Sequence, residues 1–131
     1  MITIFPHSIL SIFVAAVVKY YLIKQRTQSK IKLSLTYYPY KSYISTTHFI
    51  IKSKYLTSEQ MTDYIRDIRT HSEFANIIII GDNINYADLL KNHYRIFGVI
   101  DTTENKSLTF IRNQIHFYLD GLYGLKKKKN D

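Results

Sequence analysis

Four residues, Ile2 to Phe5, open the chain with the composition of a short strand. Apolar residues then dominate up to position 23. Ile9, Ile12, Phe13, Ala16, Val17, Tyr20 and Ile23 recur at helical spacing, which predicts a helix over about residues 8–25 with that stripe buried. Ser8 suits its N-cap, and Lys19, Lys24 and Arg26 crowd the end where cations complement the helix dipole. The uninterrupted apolar run, 12–18, is far shorter than the roughly 20 residues of a membrane span. No basic residues precede it, as they would in a secretory signal. A core helix is therefore expected, and no membrane partner.

Residues 30–38 alternate, with Ile31, Leu33, Leu35 and Tyr37 on one face and Lys30, Lys32, Ser34 and Thr36 on the other, as in a half-buried strand. Pro39 interrupts regular pairing. A strand is predicted over 42–53, a turn or short helix over 54–62, and a returning strand over 63–70. The unbroken apolar run 77–80 reads as a central strand, closed by Gly81-Asp82-Asn83. A short helix over 85–94, a last strand over 96–101 and an amphipathic helix over 108–119 follow, the last with Leu108, Ile111, Ile115 and Leu119 on one side. The predicted order is β-α-β-β-α-β plus one helix, an α+β ferredoxin-like domain over 1–103. Its middle strands would form a long protruding β-hairpin over about 38–70, and 104–131 would be a C-terminal helical extension with a lysine tail.

Composition narrows the chemistry. The 131 residues suit one domain, and 46% hydrophobic content is enough for a core. With no cysteine, disulfides, thiol catalysis and Cys-ligated metals are excluded. Only four glycines are present, and no phosphate-cradling glycine motif. His7, His48, His71, His93 and His116 lack metal-ligand spacing. Glu59, Asp63 and Asp67 fall at i, i+4, i+8, a spacing more common on a solvated face than in a site. A nuclease site would need an acid two residues before Lys52, and Ile50 stands there. No enzyme activity and no cofactor are expected. The net charge of +8 points instead to a polyanion partner.

Several segments resemble, in order, the small-subunit ribosomal protein S-ten family. Phe49-Ile50-Ile51-Lys52-Ser53 is similar to that family's strand into the loop tip, and Ile68-Arg69-Thr70-His71 to its characteristic returning strand. The run 77–80, Tyr86-Ala87-Asp88-Leu89 and the closing Gly98-Val99-Ile100-Asp101 follow as in the family, and Pro39-Tyr40-Lys41 sits where it has a Pro-Thr-Lys step. The family's Gly-Pro-aliphatic-Pro signature is replaced by 33–38, and 107–131 has no counterpart. The resemblance implies a structural constituent of the small-subunit head. Its hairpin would grip ribosomal RNA and neighbours of the S-three, S-nine and S-fourteen families, with no homo-oligomer. The implied RNA contacts are Lys41, Lys52, Lys54, Arg66, Arg69 and His71, with Tyr40, Tyr43 and Tyr55 stacking on bases. The abundance of Ile, Tyr, Lys and Asn, all with AT-rich codons, together with the divergent ends, points to a mitochondrial ribosome. The alternatives are a free RNA-binding regulatory module and a catalytically dead nuclease-like domain.

Overall fold

The computed structural model describes residues 1–6, 8–27, 29–33, 46–52, 56–91 and 95–124, without the Leu90 side chain. Five strands, β1 (Ile2–Phe5), β2 (Ile31–Leu33), β3 (Thr47–Ile51), β4 (Asn76–Gly81) and β5 (Gly98–Asp101), form one sheet. Its order is β2-β1-β3-β4-β5, and every pairing is parallel. The helices are α1 (Ile9–Lys24), α2 (Ser58–His71), α3 (Tyr86–Lys91) and α4 (Leu108–Tyr123).

The molecule mixes helix and strand as expected, but the ferredoxin-like order is not what forms. A ferredoxin-like sheet would contain antiparallel pairs. Here every neighbouring pair is parallel, with α1 and α4 on one side of the sheet and α2 and α3 on the other, which gives a doubly wound order. The returning strand expected over 63–70 is the body of α2, so β3 has no hairpin partner there. It lies centrally, with β1 on one side and β4 on the other. The helix has clear local causes. Thr57 and Gln60 form a reciprocal capping box, with bonds of 3.1 and 3.0 Å. Met61, Tyr64, Ile65 and Ile68, spaced i, i+3, i+4, i+7, are its buried face.

Alternation along each strand sends side chains to two cores, one on either side of the sheet. Ile2, Ile4, Phe49, Ile51, Ile78, Ile80 and Ile100 face α1 and α4. Phe5, Ile50, Ile77 and Ile79 face α2, together with Ile84 and Leu89 at the α3 side. The run 77–80 is thus covered on both faces, which explains why it shows no polar alternation. The helix expected as an appendage is part of the first core: Ile111, Ile115 and Leu119 of α4 are buried there, while Leu108 is exposed. Tyr118 of α4 also folds over the β5 edge. Its hydroxyl donates to the Val99 carbonyl (3.1 Å) and accepts from the Val99 N–H (3.3 Å). A Cβ on Gly98 would lie 2.2 Å from that ring, so glycine is what lets the tyrosine close the edge.

The predicted burial of α1 is corrected. Ser8 caps it, and the Ser8/Ser11 capping box buries Ser11. The buried face is Val14, Val17, Val18, Tyr21 and Leu22, and the stripe expected inside is largely outside. The helix is apolar on all sides, so spacing could not choose the face. Packing against the sheet and α4 did.

Tyr64 is 5% exposed, with its ring 4.9 Å from that of Phe5. Burial, and then the charge of Asp67, raises its hydroxyl pKa well above the ordinary tyrosine value. Above about pH 10 the unfolded chain ionises this group while the folded chain does not. Stability is therefore expected to fall with rising pH, by up to about 1.4 kcal/mol per pH unit from this residue. Urea titrations at pH 9 and 11 should show a shallower loss in Tyr64→Phe than in the parent. Equal losses would show that Tyr64 is not buried in its neutral form.

Candidate functional site

In a doubly wound sheet the winding order reverses between two neighbouring strands, here β1 and β3, and the carboxyl ends of the strands beside that point are where such sheets place their ligands. Lys52 stands at that end of β3. Its ammonium donates to the Asp82 carbonyl (3.0 Å), beyond β4. A Cβ on Gly81 would come within 2.7 Å of the Lys52 Cβ, so the lysine stem lies directly on the end of β4. Asp101, at the end of β5, accepts from the Thr103 N–H (2.9 Å), the Thr103 hydroxyl and the Tyr86 hydroxyl (2.9 Å). The Thr103 hydroxyl and N–H, and then the Tyr86 hydroxyl, hold the Asp101 carboxyl below its ordinary pKa. Asn83 donates its N–H to the Thr103 hydroxyl (3.2 Å). These groups tie the loops to one another. Among the described residues, no group of three or more His, Asp or Glu could hold a metal ion.

Of the predicted RNA contacts, the described residues are Lys52, Arg66, Arg69 and His71, and they stand at two ends of the sheet. Arg66, Arg69 and His71 lie on α2, and Arg69 reaches the loops that enter β4 and β5, at the end of the sheet opposite Lys52. Arg66 pairs with Asp63 at 2.9 Å on the exposed side of the helix. The His71 Nδ1 is 3.0 Å from the Asp67 carbonyl and 3.8 Å from its carboxylate. Arg69 is directed inward. One guanidinium nitrogen donates to the carbonyls of Ala75 (2.7 Å), Glu73 (3.2 Å) and Ser72 (3.4 Å), and the other to that of Arg95. Burial, and then neighbouring Arg95, lowers its pKa. Lys41, Lys54, Tyr40, Tyr43 and Tyr55 lie outside the described residues, as do Tyr37 and Tyr38.

A different surface emerges on the outer side of α1 and α4. Ile9 is 89% exposed, Ile23 66%, Tyr20 61% and Ile12 51%, with Phe117 of α4 exposed nearby. Where the two helices end, a groove of about 800 Å³ is lined by Tyr20, Lys24, Phe97, Phe117 and Gly121. Charge is segregated in the same sense. Eight basic residues and no acid precede Glu59, and eight of the ten acids lie between positions 59 and 104. They stand on α2, on α3, at the end of β5 and in the loops around β4 and β5. Asp120 is the sole acid on α1 or α4, and it accepts from the Tyr21 hydroxyl at 2.7 Å. The α1/α4/β2 side therefore exposes Lys19, Lys24, Arg26, Lys30 and Arg112. No described helix is long and apolar enough to cross a membrane.

Sequence reasoning missed this surface because it placed the α1 stripe inside. The available signal was the absence of any polar face on a helix that a five-stranded sheet can cover from one side only.

No family model matches the chain, and neither does any curated protein or solved structure compared with it.

Proposed function

We propose that this chain is a non-catalytic, polyanion-binding domain whose binding side is the α1/α4/β2 layer. The observation that carries this reading is the segregation of charge: cations without carboxylates over residues 1–58, and acids gathered on the α2 and α3 side and the β4 and β5 loops. Such a dipolar molecule presents its positive side to a polyanion, and counterion release makes the affinity salt-dependent. Binding to a heparin matrix tests this. Reversing Lys19, Lys24 and Arg112 to glutamate is expected to weaken retention more than tenfold at about 0.1 M salt, where such charges are still partly unscreened. Reversing Arg66, on α2, should leave retention nearly unchanged. Equal effects of the two changes would overturn the assignment of the binding side.

Ribosomal RNA is the polyanion named by the resemblance to the S-ten family, and the basic balance of +8 favours that second reading. It makes the chain a constituent of the small-subunit head, beside proteins of the S-three, S-nine and S-fourteen families, in mitochondria. With 58–71 helical, contact would run through the α1/α4/β2 layer and the Lys126–Lys129 tail rather than a hairpin. Co-sedimentation with small subunits through a high-salt wash supports this reading, and recovery only in the ribosome-free fraction removes it.

A further inference from the structure

We infer that the polyanion met by this side is the headgroup plane of an anionic lipid bilayer, with α1 lying flat on it. This rests on the polyanion reading above and names its ligand. Ile9, Ile12, Ala16, Tyr20 and Ile23 follow one another at intervals of three or four residues, so they form a single ridge along the outside of the helix. At 1.5 Å per residue the ridge is about 21 Å long. A line of half- to fully exposed aliphatic side chains is unusual on a solitary soluble domain and marks an interaction surface.

Cations border the ridge on both sides. A groove of about 600 Å³ between α1 and β2 is lined by Lys19, Ile23 and Lys30, and a depression of about 400 Å³ between α1 and α4 by Tyr20 and Arg112. An interfacial helix is built this way: aliphatic groups enter the acyl boundary while lysine and arginine reach up to the phosphates. Tyr20, apolar in its ring and polar at its tip, suits the same depth. The opposite face of α1 is filled by the core through Val14 and Val18, so the helix lies on the surface and does not insert.

Other occupants fit less well. RNA-binding surfaces use aromatic and guanidinium planes for stacking, and four of the five ridge residues are aliphatic. A second copy of the chain would oppose Lys19, Lys24 and Arg112 to themselves, with Asp120 the only carboxylate on either helix.

Sedimentation of the full chain with vesicles tests the inference. Vesicles of phosphatidylcholine are compared with vesicles containing about one-third phosphatidylserine, and a single-stranded RNA serves as the competing polyanion. The chain is expected to bind the anionic vesicles at least tenfold more tightly than the neutral ones. The combined change Ile9→Ser, Ile12→Ser and Ile23→Ser should reduce that binding more than about 100-fold, since each removes several buried methylenes. Lys19→Glu with Lys24→Glu should reduce it about 25-fold or more, at about fivefold per charge lost. All these side chains are exposed, so unchanged melting curves confirm that the variants fold. The change I12W supplies a lone indole whose emission should shift to the blue on anionic vesicles. RNA binding without vesicle binding, or vesicle binding indifferent to the isoleucines, overturns the lipid inference and leaves the polyanion reading standing. Binding to neither overturns both.

Discussion

Ile79→Ala is expected to lower the unfolding free energy by about 4 kcal/mol, measured by urea titration at neutral pH. Ile79 is fully buried at the middle of the interior strand β4 and pairs in register with Ile50 on one side and Val99 on the other. It packs in the core filled by Ile65, Ile68 and Leu89, so loss of three methyl or methylene groups leaves a cavity walled by a sheet that cannot collapse. Ile115→Ala should cost a comparable amount from the other side of the sheet, where Ile115 of α4 is fully buried with Val18 and Ile100. The two cores share no side chains, so the double variant should lose the sum to within about 0.5 kcal/mol. Both variants should also unfold in one transition. A separate early transition in Ile115→Ala would mean that α4 is an appendage rather than part of the fold.

What could be read from the residues beforehand follows physical lines. Strand β4 was legible because the unbroken apolar run 77–80 closed by Gly81 has few alternatives in a small domain, and β1 because Ile2, Ile4 and Phe5, with only Thr3 among them, stop at Pro6. Helix α4 was legible because its apolar and polar faces differ. Helix α2 was also written in the chain, in the Thr57–Gln60 capping box and the i, i+3, i+4, i+7 spacing of Met61, Tyr64, Ile65 and Ile68. A strand over 63–70 starts beyond that cap and beyond Met61, and the remaining Tyr64, Ile65 and Ile68, all favourable in strands, do not by themselves mark a helix. A strand at 63–70 makes a hairpin with β3 and an antiparallel sheet. A helix there makes a crossover, and the sheet becomes parallel throughout.

The surface proposed for binding was hidden for another reason. Helix α1 contains no acid and no polar face before Lys19, so its periodicity is nearly flat and any stripe could be named as the buried one. Tertiary packing selected Val14, Val17, Val18, Tyr21 and Leu22, and it used Ser11 beneath the helix start because the capping box satisfies its hydroxyl, which donates to the Ser8 carbonyl at 2.7 Å. The isoleucines left outside are therefore the residue of a choice made by the whole fold.

Arg66 and Arg69, three residues apart on α2, are expected to behave in opposite ways when replaced by alanine. Arg69→Ala should cost about 3 kcal/mol of stability, because its guanidinium carries charge-assisted bonds to the carbonyls of Ala75 and Arg95 and weaker ones to Glu73 and Ser72. Removing it leaves partly buried carbonyls without that donor, and it releases the loop into β4 from the loop into β5 together. Arg95, which donates to the Glu73 carbonyl, can hold only one of those contacts. Arg69→Lys should recover less than half of the loss, since an ammonium cannot span the two loops as a planar fork does. Arg66→Ala removes an exposed ion pair with Asp63 and should cost under about 0.5 kcal/mol. Urea titrations of the three variants decide the matter. A residue that serves as an external phosphate contact would show the reverse signature, with stability intact and polyanion binding lost. If Arg69→Ala melted like the parent, the loop-bridging role assigned to it would fall.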